Sequence, residues 1–271
     1  MKQDEVVYRH SRTVRLTHWI NALILLVLLM SGMQIFNAHP ALYLGQASDF
    51  DHPILAMKAV RDGEAMRGET TLFGYSFDTT GVFGAGGDAE SGYQRYGFPW
   101  SVTLPGYRDL AMGRRWHFFF AWLFLFNGVI YLLWSLASGH LRRDLAPSKP
   151  ELKHIGASIR EHLRFRFPKG EEAKRYNVLQ KLSYLVVVLM LLPLMLLSGL
   201  GMSPGMDAAW PWLLDVMGGR QTARTIHFVT ASLIVLFFVV HIVMVLVSGA
   251  WNNLRSMITG RYVVEPAEDK P

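Results

Sequence analysis

The amino-acid sequence predicts an all-α integral membrane protein, a bundle of four transmembrane helices with a long extracytoplasmic insertion between the first and second spans. Hydrophobic residues make up 51% of the 271 residues and charged residues 18%, a more apolar balance than soluble domains usually have. Four stretches also reach the roughly 20 mostly apolar residues that a helix needs to cross about 30 Å of hydrocarbon. These stretches lie at about 16–36, 116–137, 178–200 and 225–248, within one membrane domain that covers residues 1–271.

Charged side chains are rare in these stretches. Asp, Glu and Arg do not occur in them, and the one lysine, Lys181, lies one turn inside the third stretch. A lysine at that depth can extend its stem along the helix and place its ammonium among the lipid headgroups. The charge pattern therefore agrees with four membrane crossings.

The distribution of Lys and Arg predicts the orientation, because cytoplasmic loops collect positive charge. The connection at 139–177 holds ten Lys or Arg residues against five Asp or Glu, whereas the segment at 37–113 holds five against nine. We therefore expect both termini and the 139–177 connection to be cytoplasmic, and the 37–113 insertion to be extracytoplasmic. The net positive charge of the chain is explained by this orientation bias and by contact with anionic lipid headgroups. No nucleic-acid partner is therefore expected.

The chain contains no cysteine. Covalent attachment of haem through a C-x-x-C-H motif, an iron–sulfur cluster ligated by this chain, and disulfide bonds are therefore excluded.

The two long connections carry their own structural signals. In the insertion, the pieces Thr70–Phe77 and Gly97–Pro105 mix aromatic and β-branched residues, which favours short strands. The insertion can serve as a flexible surface lid or as a docking platform for an extracytoplasmic partner, and its many aromatic residues favour docking. The cytoplasmic connection predicts one amphipathic helix near Glu151–Phe167, lying on anionic lipid.

Ten histidines divide into two groups. Six lie in tails or connections, where we expect them at the surface: His10, His39, His52, His140, His154 and His162. The other four, His18, His117, His227 and His241, lie within the spans, where an ionisable side chain is costly and indicates a function.

The spacing of the four intramembrane histidines predicts two metal centres. His227 and His241 are fourteen residues apart, which places them on one helix face within about 40° and separates them by about 21 Å along the axis. They cannot share one metal, because bonds from a metal to imidazole are about 2 Å long. The direction of each span then pairs His117 with His227 on the extracytoplasmic side, and His18 with His241 on the cytoplasmic side. His18 and His241 can lie at equal depth in the membrane only if the fourth helix projects past the hydrocarbon or tilts, or if the first helix begins inside the bilayer.

Two imidazoles on opposite faces of an iron suit a low-spin haem that carries electrons. Arginines near the pairs can neutralise haem propionates or simply anchor the helix ends; they are Arg12 and Arg15 beside His18, and Arg114, Arg115 and Arg224 beside the extracytoplasmic pair. Gly32, Gly128 and Gly199 can make room for a flat porphyrin or for close helix contacts.

Three motifs resemble the bacterial di-haem cytochrome b subunits of formate dehydrogenase, nickel-iron hydrogenase and thiosulfate reductase, and most closely the thiosulfate-reductase type. They are Arg15-Leu-Thr-His18-Trp19-Ile-Asn21, Arg114-Arg-Trp-His117-Phe-Phe, and Ile226-His227 followed fourteen residues later by His241-Ile. The resemblance covers all four spans, while the 37–113 insertion is longer than in the formate and hydrogenase subunits.

The resemblance implies an electron-transfer subunit in the bacterial inner membrane and no stand-alone enzyme. It implies two b-type haems with His18, His117, His227 and His241 as axial ligands, a quinone substrate, and a periplasmic redox partner of the molybdopterin or hydrogenase type. We expect quinone close to the cytoplasmic haem, near Asn21, His241 and the start of the 139–177 connection. Two other function classes stay open, namely a transporter whose histidines relay protons or bind a metal, and a haem-free membrane anchor.

Overall fold

The computed structural model describes residues 5–87, 90, 92–106, 108–164 and 176–264, apart from the side chains of residues 161–163. Its helices are, in chain order, α1 (Arg12–Phe36), α2 (Leu110–Ala137), α3 (Lys149–Lys153), α4 (Ile155–Leu163), α5 (Val178–Val186), α6 (Leu192–Met202), α7 (Pro204–Ala209), α8 (Trp212–Met217), α9 (Arg220–Val247) and α10 (Ala250–Thr259). Its strands are β1 (Glu5–Tyr8), β2 (Ala41–Leu42), β3 (Leu55–Asp62), β4 (Ala65–Leu72), β5 (Tyr75–Asp78), β6 (Gly84–Gly86), β7 (Gln94–Tyr96) and β8 (Arg261–Val264).

Four helices among the described residues are long and apolar enough to cross a membrane: Arg12–Phe36, Leu110–Ala137, Val178–Met202 and Arg220–Val247. The predicted stretches at 16–36, 116–137 and 178–200 lie inside the first three, and the stretch at 225–248 ends one residue beyond the fourth. The prediction of four membrane-spanning helices is therefore confirmed.

An exposed apolar stripe on α2 explains why this helix needs lipid. Phe119, Trp122, Phe126, Ile130 and Leu133 recur every three or four residues, and each is more than half exposed. Residues at this spacing share one helix face. A continuous apolar face of this length is unfavourable in water and favourable against hydrocarbon chains.

The third long helix combines α5, a π-helical turn at Val187–Leu191 and α6. Pro193 follows the π-helical turn, and a proline supplies no N–H to the helix ladder, which is a common cause of such a local irregularity. Lys181 is only 6% exposed, and its Nζ donates to the Glu151 carboxylate at 2.7 Å. A carboxylate of the same chain therefore satisfies the Lys181 ammonium.

The chain divides into two compact units, and each unit takes one part of every long helix. The first unit comprises Met1–Asn21, Phe126–Pro193 and Ser232–Pro271, and the second comprises Ala22–Leu125 and Leu194–Ala231.

In the second unit, the segment between α1 and α2 folds mainly as β structure. Strands β2, β3, β4 and β5 form an antiparallel four-stranded sheet in that order, and β6 pairs with β7. The inner face of the sheet packs on the helix ends through a cluster of Phe36, Leu42, Leu55 and Met57, with Phe228 against it. The all-α prediction is therefore wrong for this segment, although the molecule is mostly helical.

One of the two predicted strand regions is confirmed. Residues 70–77 contain the end of β4 and most of β5, joined by the turn Phe73-Gly74, whose positive φ values of 48° and 84° match a tight hairpin. The strand predicted at Gly97–Pro105 is wrong, since that segment contains a short 3-10 turn at Trp100–Val102. Asn37, just after α1, instead binds the backbone N–H groups of Gly97 and Phe98.

The first unit contains the chain ends and the connection between α2 and α5. Strand β1 pairs antiparallel with β8, from Glu5 opposite Val264 to Tyr8 opposite Arg261. The connection forms a π-helical turn at Leu141–Leu145 followed by α3 and α4. The single helix predicted near 151–167 is thus two short helices that meet at His154, and residues 165–167 lie outside the described part of the chain.

Candidate functional site

In the second unit, His117 of α2 faces His227 of α9. Their ring centres are 6.2 Å apart and the ring planes make an angle of 64°. In the first unit, His18 of α1 faces His241 of α9, with ring centres 6.3 Å apart and an angle of 58°. The structure thus brings together the same two pairs that the direction of the spans predicts.

Each pair spans the distance that one metal ion between two imidazoles requires. An imidazole nitrogen binds metal at about 2.0–2.1 Å and lies about 1.1 Å from its ring centre, so two rings on opposite sides of one metal have centres about 6.2–6.4 Å apart. The observed distances of 6.2 and 6.3 Å lie in this range. The residues present therefore fit a haem iron ligated on both faces.

Two serines orient the rings of the His117–His227 pair. The Ser31 hydroxyl donates to the Val27 carbonyl at 2.7 Å, so its oxygen is left to accept a hydrogen bond from His117 Nδ1, which lies 3.1 Å away. Ser198 does the same for His227, donating to the Leu194 carbonyl at 2.7 Å and meeting His227 Nδ1 at 3.0 Å.

This hydrogen bonding favours the tautomer with the proton on Nδ1 in both rings. A proton on Nδ1 leaves Nε2 unprotonated, which is the form in which an imidazole binds metal. Both serines are fully buried, so water does not compete for these bonds.

A glycine follows each of these serines and makes room for the ring. A Cβ at Gly32 would lie 3.3 Å from His117 Cε1, and a Cβ at Gly199 would lie 3.2 Å from His227 Cε1. A Cβ at Gly128, in contrast, would have no neighbour within 4 Å. The first two glycines therefore accommodate the imidazoles, whereas the structure gives Gly128 no comparable neighbour.

Sequence reasoning missed Ser31 and Ser198. A signal was present, because the first and third spans contain the same Ser-Gly dipeptide, at Ser31-Gly32 and Ser198-Gly199. Small polar residues are common at contacts between membrane helices, so the dipeptide alone does not identify its partner.

Aromatic residues surround the His18–His241 pair. The His18 ring meets the neighbouring Trp19 ring edge-on at 5.2 Å, and the Trp19 indole N–H donates to the Met257 carbonyl at 3.0 Å. Phe237 stacks on His241 at 5.8 Å, with an angle of 16° between the planes. Within the described chain, Nδ1 of His18 is buried without a hydrogen-bond partner, so the protein leaves this ring nitrogen unsatisfied.

The four predicted cofactor-binding arginines have protein contacts of their own. In the first unit, Arg15 donates to the Ile258 carbonyl. In the second unit, Arg224 donates to the His39 carbonyl and lies over the Phe36 ring. The exposed Arg114 lies over the Phe118 ring, and the exposed Arg115 contacts the Met112 sulfur at 3.9 Å.

Two histidines expected at the surface are buried. His10 and His140 are 8% and 9% exposed, because each has a polar partner inside the first unit. His10 Nδ1 meets the Tyr176 hydroxyl at 3.0 Å, and His140 Nδ1 meets the Asp144 carboxylate at 2.6 Å. Burial, with the positive charge of Arg9, lowers the pKa of His10 to about 4, so this ring is neutral at pH 7.

The remaining histidines of the tails and connections follow the expectation more closely. His52 is exposed and pairs with Asp49 at 3.0 Å, His154 is exposed, and His39 is partly buried. The side chain of His162 lies outside the described residues. Among the residues that the structure describes, no three His, Cys, Asp or Glu side chains come together as a site for a metal ion.

The chain matches a family model described as prokaryotic cytochrome b561 over residues 9–260. It is similar to the putative protein-methionine-sulfoxide reductase subunit YedZ1 of Azospira oryzae, with 25% identity over 256 residues, or 94% of this chain and 98% of the relative. No solved structure matches the chain.

The family model covers nearly the whole chain, and four apolar helices mark it as a multi-pass bacterial membrane protein. The chain therefore belongs to the prokaryotic cytochrome b561 family, whose members carry electrons in the membrane on haem b.

Proposed function

We propose that this chain is a di-haem cytochrome b that transfers electrons across the membrane between the quinone pool and an extracytoplasmic oxidoreductase subunit. The observation that carries this proposal is the presence of two histidine pairs, one in each unit, with ring centres 6.2 and 6.3 Å apart. In this proposal His117 and His227 would hold one haem b, and His18 and His241 would hold the other.

Haem b, when bound, supplies an iron that takes up and releases one electron at a time. The protein provides the ligands and their orientation. Ser31 and Ser198 accept hydrogen bonds from Nδ1 of His117 and His227, which would leave Nε2 of each ring free to bind the iron. All four histidines lie in long apolar helices.

The excess of Lys and Arg in the 139–177 connection supports an orientation in which both termini are cytoplasmic. The His18–His241 pair is then on the cytoplasmic side and the His117–His227 pair on the extracytoplasmic side. The fourteen residues from His227 to His241 correspond to about 21 Å of helix, which is a large part of the membrane thickness.

A quinone site near the His18–His241 pair is supported by a hydrogen-bonded pair of titratable groups in the first unit. Quinone and quinol differ by two electrons and two protons, so such a site needs a route for protons as well as for electrons. In this pair the buried His140 bonds through Nδ1 to the exposed Asp144 carboxylate at 2.6 Å. Asn21, one turn after His18 on α1, remains a candidate contact for the quinone.

An extracytoplasmic oxidoreductase partner is supported by two observations. The similar chain from Azospira oryzae is named as a reductase subunit, and likeness to thiosulfate-reductase-type cytochromes favours a molybdopterin enzyme. The sheet of the second unit offers a docking surface, because Phe73, Tyr75 and Phe77 at its β4–β5 hairpin are 72%, 74% and 54% exposed. Exposed aromatic residues are enriched where proteins bind each other.

The proposal is tested by replacing one histidine of each pair in the purified protein. His117→Ala is expected to lose the extracytoplasmic haem and His241→Ala the cytoplasmic one, each leaving about one haem per chain. Reduced-minus-oxidised difference spectra measure the loss, and His52→Ala, at an exposed histidine, is the control that keeps both haems.

Two outcomes contradict the proposal. If either His117→Ala or His241→Ala retained two haems with unchanged spectra, the assignment of axial ligands would be wrong. A colourless protein from haem-replete cells would instead point to a haem-free anchor or to a histidine-based transporter.

A further inference from the structure

A cleft of about 430 Å³ opens in the second unit, beside the end of α1 and the start of α2. Its lining includes Gln34 of α1, Arg95 of β7 and Arg108 just before α2. Apolar side chains, among them Met57 and Leu110, form another part of the wall.

Gln34 is the unusual member of this lining. It is only 2% exposed, and neither its Nε2 nor its Oε1 has a hydrogen-bond partner in the described chain. A buried amide that makes no hydrogen bond is costly, and folded proteins nearly always supply a partner from protein, water or ligand. The carboxamide of Gln34 is therefore a group whose missing hydrogen bonds a ligand at the cleft would supply.

The charge of the cleft indicates which polar group fits. Arg95 and Arg108 bring two guanidinium groups, and the lining residues that the structure describes include no Asp or Glu. The Arg108 guanidinium also donates to the Arg95 carbonyl at 3.0 Å, which fixes its position at the cleft. Guanidinium groups match carboxylates in charge and shape, and the apolar wall suits a ligand whose carboxylate is attached to a hydrocarbon body.

The cleft lies one helical turn from the His117–His227 pair. Gln34 is three residues beyond Ser31, which bonds to His117, so the two residues share a face of α1. On α2, Gly113 is one turn before His117, and a Cβ there would lie 2.8 Å from Gln34 Cγ. Both helices thus bring the cleft next to the proposed extracytoplasmic haem.

We propose that this cleft is a carboxylate-binding site in which Gln34 donates from Nε2 while Arg95 and Arg108 neutralise the charge. Two sources supply such a carboxylate. One is a propionate of the haem held by His117 and His227, which rests on the proposed function, and the other is a free amphiphilic carboxylate from the aqueous phase. In the first case these three residues join the cofactor-binding set.

The experiments use the purified holoprotein and three variants. Gln34→Leu removes the carboxamide and keeps a buried side chain of similar size, so it is expected to fold. Arg95→Gln removes one positive charge from the cleft. Arg61→Gln, at an exposed position of β3 outside the lining, is the matched control.

The haem arm measures the midpoint potential of each haem by spectroelectrochemistry. If a propionate occupies the cleft, Arg95→Gln lowers the potential of one haem only, because an uncompensated negative charge favours ferric iron. Gln34→Leu is expected to act in the same direction, and Arg61→Gln has no effect. Reconstitution with the dimethyl ester of haem, which has no free carboxylates, is expected to abolish the difference between Arg95→Gln and the unaltered protein.

The second arm measures binding of carbon-13-labelled butyrate by saturation-transfer nuclear magnetic resonance. If a free carboxylate occupies the cleft, Gln34→Leu and Arg95→Gln each weaken butyrate binding by at least tenfold, whereas Arg61→Gln does not. An effect in either arm supports the carboxylate site and identifies its source. If both potentials and butyrate binding were the same in all variants, the cleft would hold water only and the proposal would be overturned.

Failure of the proposed function has a different signature. If the proposed function is wrong, the purified protein contains no haem, or His117→Ala retains two haems. In both cases the butyrate measurement still decides whether the cleft binds a carboxylate.

Discussion

If His227 holds a haem as proposed, replacement of Gly199 by alanine is expected to weaken binding of that haem while making the helix itself more stable. The added Cβ would lie 3.2 Å from His227 Cε1 and 3.6 Å from its Nδ1. Carbon atoms in favourable contact are about 3.5–4.0 Å apart, so the ring must move by a few tenths of an ångström. That movement disturbs both the 3.0 Å bond from Nδ1 to Ser198 and the 6.2 Å spacing to His117.

The two effects of this substitution have opposite signs and comparable sizes. Overpacking of a filled site costs about 1–3 kcal/mol, which corresponds to roughly 5- to 150-fold weaker haem binding at 1.4 kcal/mol per factor of ten. Alanine in place of glycine within a helix stabilises it by about 1 kcal/mol. The variant without haem is therefore expected to be at least as stable as the unaltered chain, although the haem is held less tightly.

The assay follows transfer of haem to an excess of a haem-scavenging apoprotein, together with thermal unfolding. Gly32→Ala, whose Cβ would lie 3.3 Å from His117 Cε1, is expected to behave like Gly199→Ala. Gly128→Ala is the control, because a Cβ there meets nothing within 4 Å. The reasoning is refuted if Gly199→Ala releases haem at the unaltered rate, or if Gly128→Ala releases it equally fast.

Three further predictions concern side-chain hydrogen bonds. Ser198→Ala and Ser31→Ala each free a ring to rotate, and are expected to weaken haem binding by about 10- to 100-fold in the same transfer assay; unchanged transfer would remove the serines from the site. Glu151→Gln is expected to lower the thermal unfolding temperature more than Lys181→Met, because only the former leaves a buried ammonium without its carboxylate; the reverse order would contradict this explanation. The hydrogen bond from Lys181 lowers the pKa of Glu151 to about 2. The ionised Glu151 therefore stabilises the fold above about pH 4.3, and this stabilisation is lost as the pH falls from there to 2. Acid unfolding monitored by circular dichroism should show this loss in the unaltered protein and not in Glu151→Gln.

The spans and the histidine pairs could be predicted because their signals are local and periodic. Long apolar runs give the helices, and the spacing of fourteen residues on a 3.6-residue helix puts His227 and His241 on one face. The alternating direction of successive spans then leaves one way to match them with His18 and His117. None of these steps needs knowledge of side-chain packing.

The features that sequence reasoning missed depend on contacts between residues far apart in the chain. His10 is buried beside Tyr176, which lies 166 residues away in the sequence. Lys181 is buried beside Glu151, which belongs to another helix. The turn of the β4–β5 hairpin places Phe73 at a positive φ of 48°, where the usual signal is Asn or Gly. Patterns within one segment do not report such contacts.

Both histidine pairs take one member from α9, the last of the four long helices. During synthesis the His117–His227 pair therefore becomes possible before the His18–His241 pair, because residue 227 precedes residue 241. If each pair holds a haem as proposed, a truncation between residues 227 and 241 is expected to bind haem at the His117–His227 pair only.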